Sequence, residues 1–88
     1  MMLKASHILV RHEYEAKDIQ KKLSDGKSFE ELARDFSQCP SAKGGGMLGE
    51  FSLGKMVPAF EKALLALKPG EVSGIVKTQF GHHIILRH

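Results

Sequence analysis

The sequence predicts an α+β fold in which helices pack on an antiparallel sheet. Apolar, β-branched blocks stand near both ends of the chain, at Ile8-Leu9-Val10 and Ile84-Ile85-Leu86, which is typical of buried strands. Between them, three segments repeat apolar residues at helical spacing. The last two strand-like segments are joined by a short turn, so they form a hairpin, and hairpins grouped with helices are characteristic of α+β domains.

The first half of the chain begins with a strand and continues with two helices. The strand covers residues 3–11 and carries His7 on one face, because side chains alternate across a strand. The first helix covers residues 13–24, and glycine follows it at the position where it commonly ends helices. Its apolar positions are Ala16, Ile19, Leu23 and Tyr14.

The second helix begins at Ser28, with Glu31 three residues later, which is a capping box. Its apolar stripe consists of Phe29, Leu32, Ala33 and Phe36. We interpret this stripe as part of the core.

The second half contains one helix and three strands. A very short strand is expected at residues 50–52, and a third helix at 57–67, with Pro58 in its first turn and Pro69-Gly70 beyond its end. Residues 72–77 follow as a strand interrupted by glycine, residues 78–81 as a turn, and residues 82–87 as the last strand.

Length and composition narrow the class of protein. The 88 residues predict one domain, with 26% charged residues and a formal net charge of +3. The basic residues are spread along the chain, so we expect no nucleic-acid partner. One cysteine excludes an internal disulfide. No apolar run is long enough for a membrane span, and the start lacks a signal peptide, so we expect a cytoplasmic protein.

A glycine-rich segment in the middle of the chain is the candidate wall of a site. Residues 39–54 contain the single cysteine, Cys39, and five of the nine glycines. Glycine adopts backbone conformations closed to other residues and lets the chain approach a ligand closely, at an entropic cost. Regular, apolar segments flank this stretch on both sides.

Three residues that can carry chemistry stand outside the apolar pattern: His7, Cys39 and His83. They are compatible with a thiol nucleophile and its base. They are also compatible with a metal site, although they lack the paired spacing of zinc motifs. A polar network lining a binding cleft is the third interpretation, and spacing alone leaves all three open.

Five blocks in register make the chain similar to the parvulin-type peptidyl-prolyl cis/trans isomerases, over nearly its whole length. The blocks are Ala5-Ser6-His7-Ile8-Leu9-Val10, Ser37-Gln38-Cys39-Pro40-Ser41, Gly44-Gly45 with Leu48-Gly49-Glu50-Phe51, Met56-Val57-Pro58-Ala59-Phe60, and Thr78-Gln79-Phe80-Gly81-His82-His83. The resemblance implies a four-stranded antiparallel sheet surrounded by helices, an FKBP-like superfold, with the first and last strands adjacent at its centre.

The resemblance also implies the site. It assigns catalytic roles to His7, Cys39, Thr78 and His83, and substrate binding to Leu48, Met56, Phe60 and Phe80. It implies neither metal nor cofactor. We expect the two histidines to share a hydrogen bond extended through Thr78, and Cys39 to act as a weakly polar or thiolate group. Covalent attack by Cys39 is the alternative.

The activity implied by the resemblance is rotation of Xaa-Pro peptide bonds in proline-containing peptides and in unfolded or flexible protein segments, by a monomer. Phosphate-directed parvulins carry basic residues after the first strand, whereas here His12-Glu13-Tyr14-Glu15 is short and acidic, and Lys43 is the only nearby candidate cation in the glycine-rich stretch. We therefore expect little preference for phosphoserine-proline. The alternative is a module that binds proline segments without catalysis.

Overall fold

The predicted fold is confirmed by the computed structural model, which describes residues 2–38, 44–52 and 54–88. Its elements in chain order are β1 (Met2–Val10), α1 (Glu13–Ser24), α2 (Phe29–Phe36), β2 (Met47–Ser52), α3 (Pro58–Leu65), β3 (Val76–Thr78) and β4 (Gly81–Arg87). The strands of this described part form one antiparallel sheet in the order β2-β1-β4-β3. The first and last strands therefore lie side by side at its centre, as expected.

The register of the central strand pair decides where the two histidines stand. His7 of β1 lies opposite Ile85, and His83 of β4 lies opposite Leu9. The two histidines are therefore diagonal neighbours on the same face of an antiparallel pair, which is within reach of ring side chains.

The alternation of side chains along β1 creates two separate cores. One face of the sheet packs against α1 and α2 through Ile8, Val10, Ala16, Ile19, Leu32, Ala33 and Ile84. The other face packs against α3 through Leu3, Ala5, Phe51, Phe60, Leu64 and Ile85. His7 and His83 belong to the α3 side, since both contact the ring of Phe60.

The first two helices follow their sequence signals, with two exceptions on their apolar faces. The first helix has the predicted bounds, and the Ser28 hydroxyl accepts a hydrogen bond from the Glu31 amide at 3.3 Å at the start of the second. Phe36, however, is 41% exposed, so placing it in the core was wrong, and Tyr14, which was an apolar position of the first helix, is 70% exposed. Tyr14 is the second residue of its helix and Phe36 is the last residue of its helix. The Lys22 ammonium group lies over the Phe36 ring.

The bounds of two later elements differ from the prediction. β2 begins at Met47 rather than at residue 50, because pairing with β1 extends through Gly49 despite its low strand propensity. α3 is shorter than predicted, with Val57 as its N-cap and Ala66 as its C-cap.

The strand predicted over residues 72–77 is reduced to Val76–Thr78. Val72 forms an isolated bridge with Leu86, and one extra residue lies between this bridge and the regular pairing of Val76 with His83. This is a bulge, which interrupts a ladder while keeping the chain at the sheet. The Ser73 hydroxyl maintains the attachment, because it accepts from the Ile85 amide at 2.9 Å in place of a backbone carbonyl.

None of the helices in the described ranges is both long enough and apolar enough to cross a membrane.

Candidate active site

The centre of the candidate site is a hydrogen-bonded row of three side chains. His7 Nδ1 lies 3.1 Å from His83 Nδ1, and His83 Nε2 lies 2.7 Å from the hydroxyl oxygen of Thr78. The imidazoles are stacked, with ring centroids 5.3 Å apart and an interplanar angle of 22°. The structure thus places together the two histidines and the threonine in the arrangement that the sequence predicted.

The hairpin between β3 and β4 positions the threonine. Thr78 pairs with Gly81 at the ends of the two strands, and its hydroxyl also accepts a hydrogen bond from the Phe80 amide at 3.2 Å. This is the side-chain turn motif that serine and threonine favour. Gly81 has φ +141°, and a Cβ there would stand 2.6 Å from the carbonyl oxygen of Val10, so the tight hairpin requires glycine.

The environment of the histidine pair keeps both rings neutral near pH 7. Burial, and to a smaller extent the neighbouring His83, together lower the pKa of His7 from 6.5 to about 4. Burial also lowers the pKa of His83, with a smaller contribution from His82. A neutral pair suits the observed contact, because one Nδ1 must donate the shared hydrogen bond and the other must accept it.

The shared bond leaves one nitrogen of the pair without a partner. His7 Nε2 is buried and forms no hydrogen bond with the described residues. The rings of both histidines instead meet the ring of Phe60 edge-on, at centroid distances of 5.6 Å for His7 and 5.5 Å for His83. Phe60, which is 2% exposed, therefore links the histidine pair to the apolar core below α3.

A cleft of about 530 Å³ opens beside this network. Its described lining consists of His7, Leu9, Gln38, Leu48, Lys55, Met56, Val57, Phe60, Phe80 and His83. All four residues predicted to bind substrate are among them. Phe80, at 61% exposed, stands at the mouth, whereas Phe60 is buried. The cleft is thus an apolar socket that has neutral imidazoles on one side and is open to solvent.

Comparison with known proteins identifies the family. Residues 7–88 match the family described as "Rotamase: PPIC-type PPIase domain". The chain belongs to the PPIC-type peptidyl-prolyl isomerase family, the parvulins. It is 54% identical over 84 residues to a protein named foldase protein PrsA from Geobacillus kaustophilus, an alignment covering 94% of this chain and 30% of that protein.

Solved parvulin structures have the same fold as this chain. The peptidylprolyl isomerase PrsA from Bacillus anthracis superposes with a TM-score of 0.95 at 52% identity, covering 98% of this chain and 40% of that chain. NmPin, the parvulin of Nitrosopumilus maritimus, superposes with a TM-score of 0.86 at 47% identity, covering 98% of this chain and 94% of that one. The chain thus spans less than a third of the curated relative named above, but nearly all of NmPin.

The cleft of this parvulin domain is also lined by four residues that the sequence interpretation did not assign to the site: Leu9, Gln38, Lys55 and Val57. The position of Leu9 was available from alternation, since it follows His7 by two residues on the same strand. Gln38 is tied to this strand by its amide, which donates to the Leu9 carbonyl at 2.8 Å. Only the tertiary structure reveals that contact. Lys55 and Val57 flank the predicted residue Met56.

A glycine supports the backbone of the parvulin domain beneath the first histidine. The His7 amide donates to the Gly46 carbonyl at 2.9 Å, and Gly46 has φ +84°. A Cβ at Gly46 would stand 2.4 Å from the His7 carbonyl oxygen and 3.0 Å from the Ala33 side chain. Gly46 of the glycine-rich stretch thus supports the site by close approach to the backbone of β1. The approach of this stretch to a ligand stays a prediction.

Two predicted features of the site concern Cys39. This residue lies outside the described residues, so its catalytic role stays a prediction. Across the described ranges, no group of three histidine, cysteine or acidic side chains could hold a metal ion. The metal alternative built on His7, Cys39 and His83 includes the undescribed cysteine and stays a hypothesis.

Proposed function

We propose that this parvulin domain accelerates cis/trans rotation of Xaa-Pro peptide bonds in the cleft, without forming a covalent bond to the substrate. The observation that carries the proposal is the juxtaposition of an apolar socket with a buried, neutral histidine pair. The name foldase on the relatives supports a role in the folding of proline-containing chains.

Rotation about the peptide bond requires no bond to be made or broken. Resonance gives the bond a barrier of about 18–20 kcal/mol, and the two isomers of Xaa-Pro differ by only about 0.5–1 kcal/mol. A catalyst therefore has to bind the twisted amide more tightly than either planar form. Each contribution of the cleft to catalysis therefore acts through this difference in binding between the twisted and the planar amide.

The socket provides one part of that difference by holding the proline ring. Leu48, Met56 and Phe60 line the apolar side of the cleft. Burial of the proline ring against these side chains holds that part of the substrate fixed. The carbonyl side of the peptide bond can then rotate relative to it. Met56 and Leu48 are half-buried, so each still offers apolar surface to a ligand.

The polarity of the cleft provides the other part. A planar amide is stabilised by charge-separated resonance, which twisting removes. Low polarity therefore favours the twisted form relative to the planar one. Neutral His7 and His83 add no positive charge to their side of the cleft, and the hydrogen bonds from His83 to His7 and to Thr78 fix their orientation. We propose that these three residues act as supports of the site rather than as proton carriers.

Cys39 has a non-covalent role in this proposal, because rotation needs no nucleophile. Cys39→Asp should retain much of the activity, since an aspartate also places a polar or negative group near the amide, whereas Cys39→Ala should lose more. Complete loss in both variants would support covalent attack instead.

Substrates of this domain are proposed to need no phosphate. The link between β1 and α1 is only two residues long, and Glu13 and Glu15 stand in the first turn of the helix. Negative charge at this place repels a phosphate rather than pairing with it. The proposed substrates are accessible, flexible Xaa-Pro segments.

Kinetics of a proline peptide with socket variants test the proposal. Wild-type protein should accelerate exchange of a short Ala-Pro peptide, and Met56→Ala should reduce kcat/KM about tenfold, which corresponds to ~1.4 kcal/mol of lost apolar contact. Leu65→Ala, in an exposed residue of α3 outside the cleft lining, is the matched control. Equal activity of the two variants would contradict use of this cleft.

A further inference from the structure

The loop segment that carries one residue of the proline socket, Met56, is held by a carboxylate from the helix that follows it. Residues 54–57 of this segment directly precede α3. One oxygen of Glu61, Oε2, accepts hydrogen bonds from the Gly54 amide at 2.6 Å and from the Met56 amide at 3.2 Å. Within the described residues, these two amides donate no other hydrogen bond.

We infer that Glu61 is a positioning residue of the isomerase site: it fixes the loop backbone and so holds Met56 in the cleft that Met56 lines together with Phe60. The inference rests on the proposed function, in which these two residues and Leu48 form the socket. Glu61 is absent from the described lining of the cleft and acts through the backbone of Met56.

The position of Glu61 explains how it can connect the loop of Met56 to the helix that carries Phe60. It follows Phe60 directly in the first turn of α3, so the rigid helix that buries the Phe60 ring also carries the carboxylate. Phe60 is fixed by the core, whereas Met56 belongs to a loop that includes Gly54 at φ +97°. A glycine in this conformation has much freedom to lose, so an anchor on both sides of Lys55 restricts the loop strongly.

The chemistry of the anchor favours a carboxylate over a neutral group. Hydrogen bonds from amides to an ionised acceptor are shorter and stronger than those between neutral groups. Negative charge in the first turn of a helix also interacts favourably with the helix dipole. Loss of this side chain frees both amides at once and should let Met56 leave its place in the cleft lining.

The chain contains a matched control for this role. Glu71 makes the same type of contact, with Oε1 accepting from the Lys68 amide at 2.6 Å in an exposed turn. Glu71 is absent from the described lining of the cleft. Removal of either carboxylate frees a loop amide, but only Glu61 restrains a socket residue.

The experiment compares Glu61→Ala, Glu61→Gln and Glu71→Ala. The readouts are the Kd of an Ala-Pro peptide, kcat/KM for its isomerisation, and the methyl NMR signal of Met56. We expect Glu61→Ala to raise Kd and lower kcat/KM about fivefold, equivalent to ~1 kcal/mol, and to shift or broaden the Met56 signal. Glu71→Ala should match wild type in all three. Glu61→Gln keeps a neutral acceptor and should show about a twofold effect.

Equal Kd values for Glu61→Ala and Glu71→Ala, with an unmoved Met56 signal, would overturn the inference. If Glu61→Ala does not fold, Glu61→Gln is compared with Glu71→Gln by the same measurements. An unchanged Met56 signal and an unchanged Kd in Glu61→Gln would then contradict the inference. The Kd and the methyl signal need no turnover. A wild-type protein that binds the peptide without accelerating exchange would therefore refute the proposed isomerase but still test Glu61.

Discussion

Acidification should destabilise this domain through its buried histidine pair. The pKa of His7 is about 4 in the folded protein, against 6.5 for an ordinary histidine. The unfolded chain therefore takes up a proton at a higher pH than the folded one does. Stability from this group is complete above pH 6.5 and is lost as the pH falls toward 4, because protonation then favours the unfolded state.

The magnitude follows from the two pKa values. Each pKa unit corresponds to 1.36 kcal/mol, so the full effect of His7 is ~3 kcal/mol, and between pH 7.0 and pH 4.5 it is ~2 kcal/mol. His83, whose pKa is also lowered by burial, adds a contribution of the same sign. Two protonated rings could no longer share the Nδ1–Nδ1 hydrogen bond, because both nitrogens would be donors.

Urea unfolding at pH 7.0 and pH 4.5 measures this effect. The free energy of unfolding comes from linear extrapolation, and carboxylates that titrate in the same range contribute to the wild-type difference. His7→Leu removes the group and should reduce the difference between the two pH values by ~2 kcal/mol. His12→Asn, which removes an exposed imidazole at the start of α1, is the control and should keep the wild-type difference.

A histidine titration followed by NMR gives the same answer per residue. The ring signals of His7 should titrate well below pH 6. A midpoint near 6.5, or a pH difference in stability that His7→Leu leaves unchanged, would refute the argument that burial keeps the pair neutral.

Three further predictions concern the site and its specificity. Thr78→Val removes the hydroxyl partner of His83 and should destabilise the domain by ~1–3 kcal/mol and lower kcat/KM. Urea unfolding and peptide exchange measure the two effects, and an unchanged unfolding midpoint would contradict the prediction. Gly46→Ala should lower the free energy of unfolding by at least ~2 kcal/mol, because the position combines a positive φ with a Cβ only 2.4 Å from the His7 carbonyl oxygen. Gly44→Ala, which has open space around its Cβ, is the control and should be nearly neutral. Equal losses of stability in urea unfolding would argue against this packing. Peptides that differ only in phosphorylation of the serine before proline should have kcat/KM values within about tenfold, the factor equivalent to 1.4 kcal/mol, and a larger gain with phosphate would refute the specificity argument.

Local patterns predicted most of the fold because each depends on neighbouring residues. The bounds of α1 and the start of α2 at Ser28 follow from helical spacing and capping, which are short-range effects. The strand predicted over 72–77 failed because a side chain, Ser73, replaces a backbone group in pairing with β4. Phe36 was wrongly placed in the core, because helical spacing defines an apolar stripe but not how much of its width the neighbouring elements cover.

Most residues of the candidate site were predictable from the sequence, whereas the backbone contacts that hold them in place were not. The paired histidines, Thr78 and the socket followed from a resemblance across five sequence blocks, and the structure brings those described residues together. The contact of Gly46 with His7 and the anchoring by Glu61 were not foreseen, because both are set by distances between backbone groups. Neither the expected monomeric state nor the expected cytoplasmic location is tested by the fold, and both stay predictions.

Exchange NMR of an Ala-Pro peptide mixed with isotope-labelled wild-type protein tests the central claim most directly, because one sample reports both binding and catalysis. The account predicts cis/trans exchange far faster than the tens to hundreds of seconds of the free peptide, together with signal shifts at Leu48, Met56 and Phe60. Shifts at these residues without faster exchange would contradict it and would identify the cleft as a proline-binding module without catalysis.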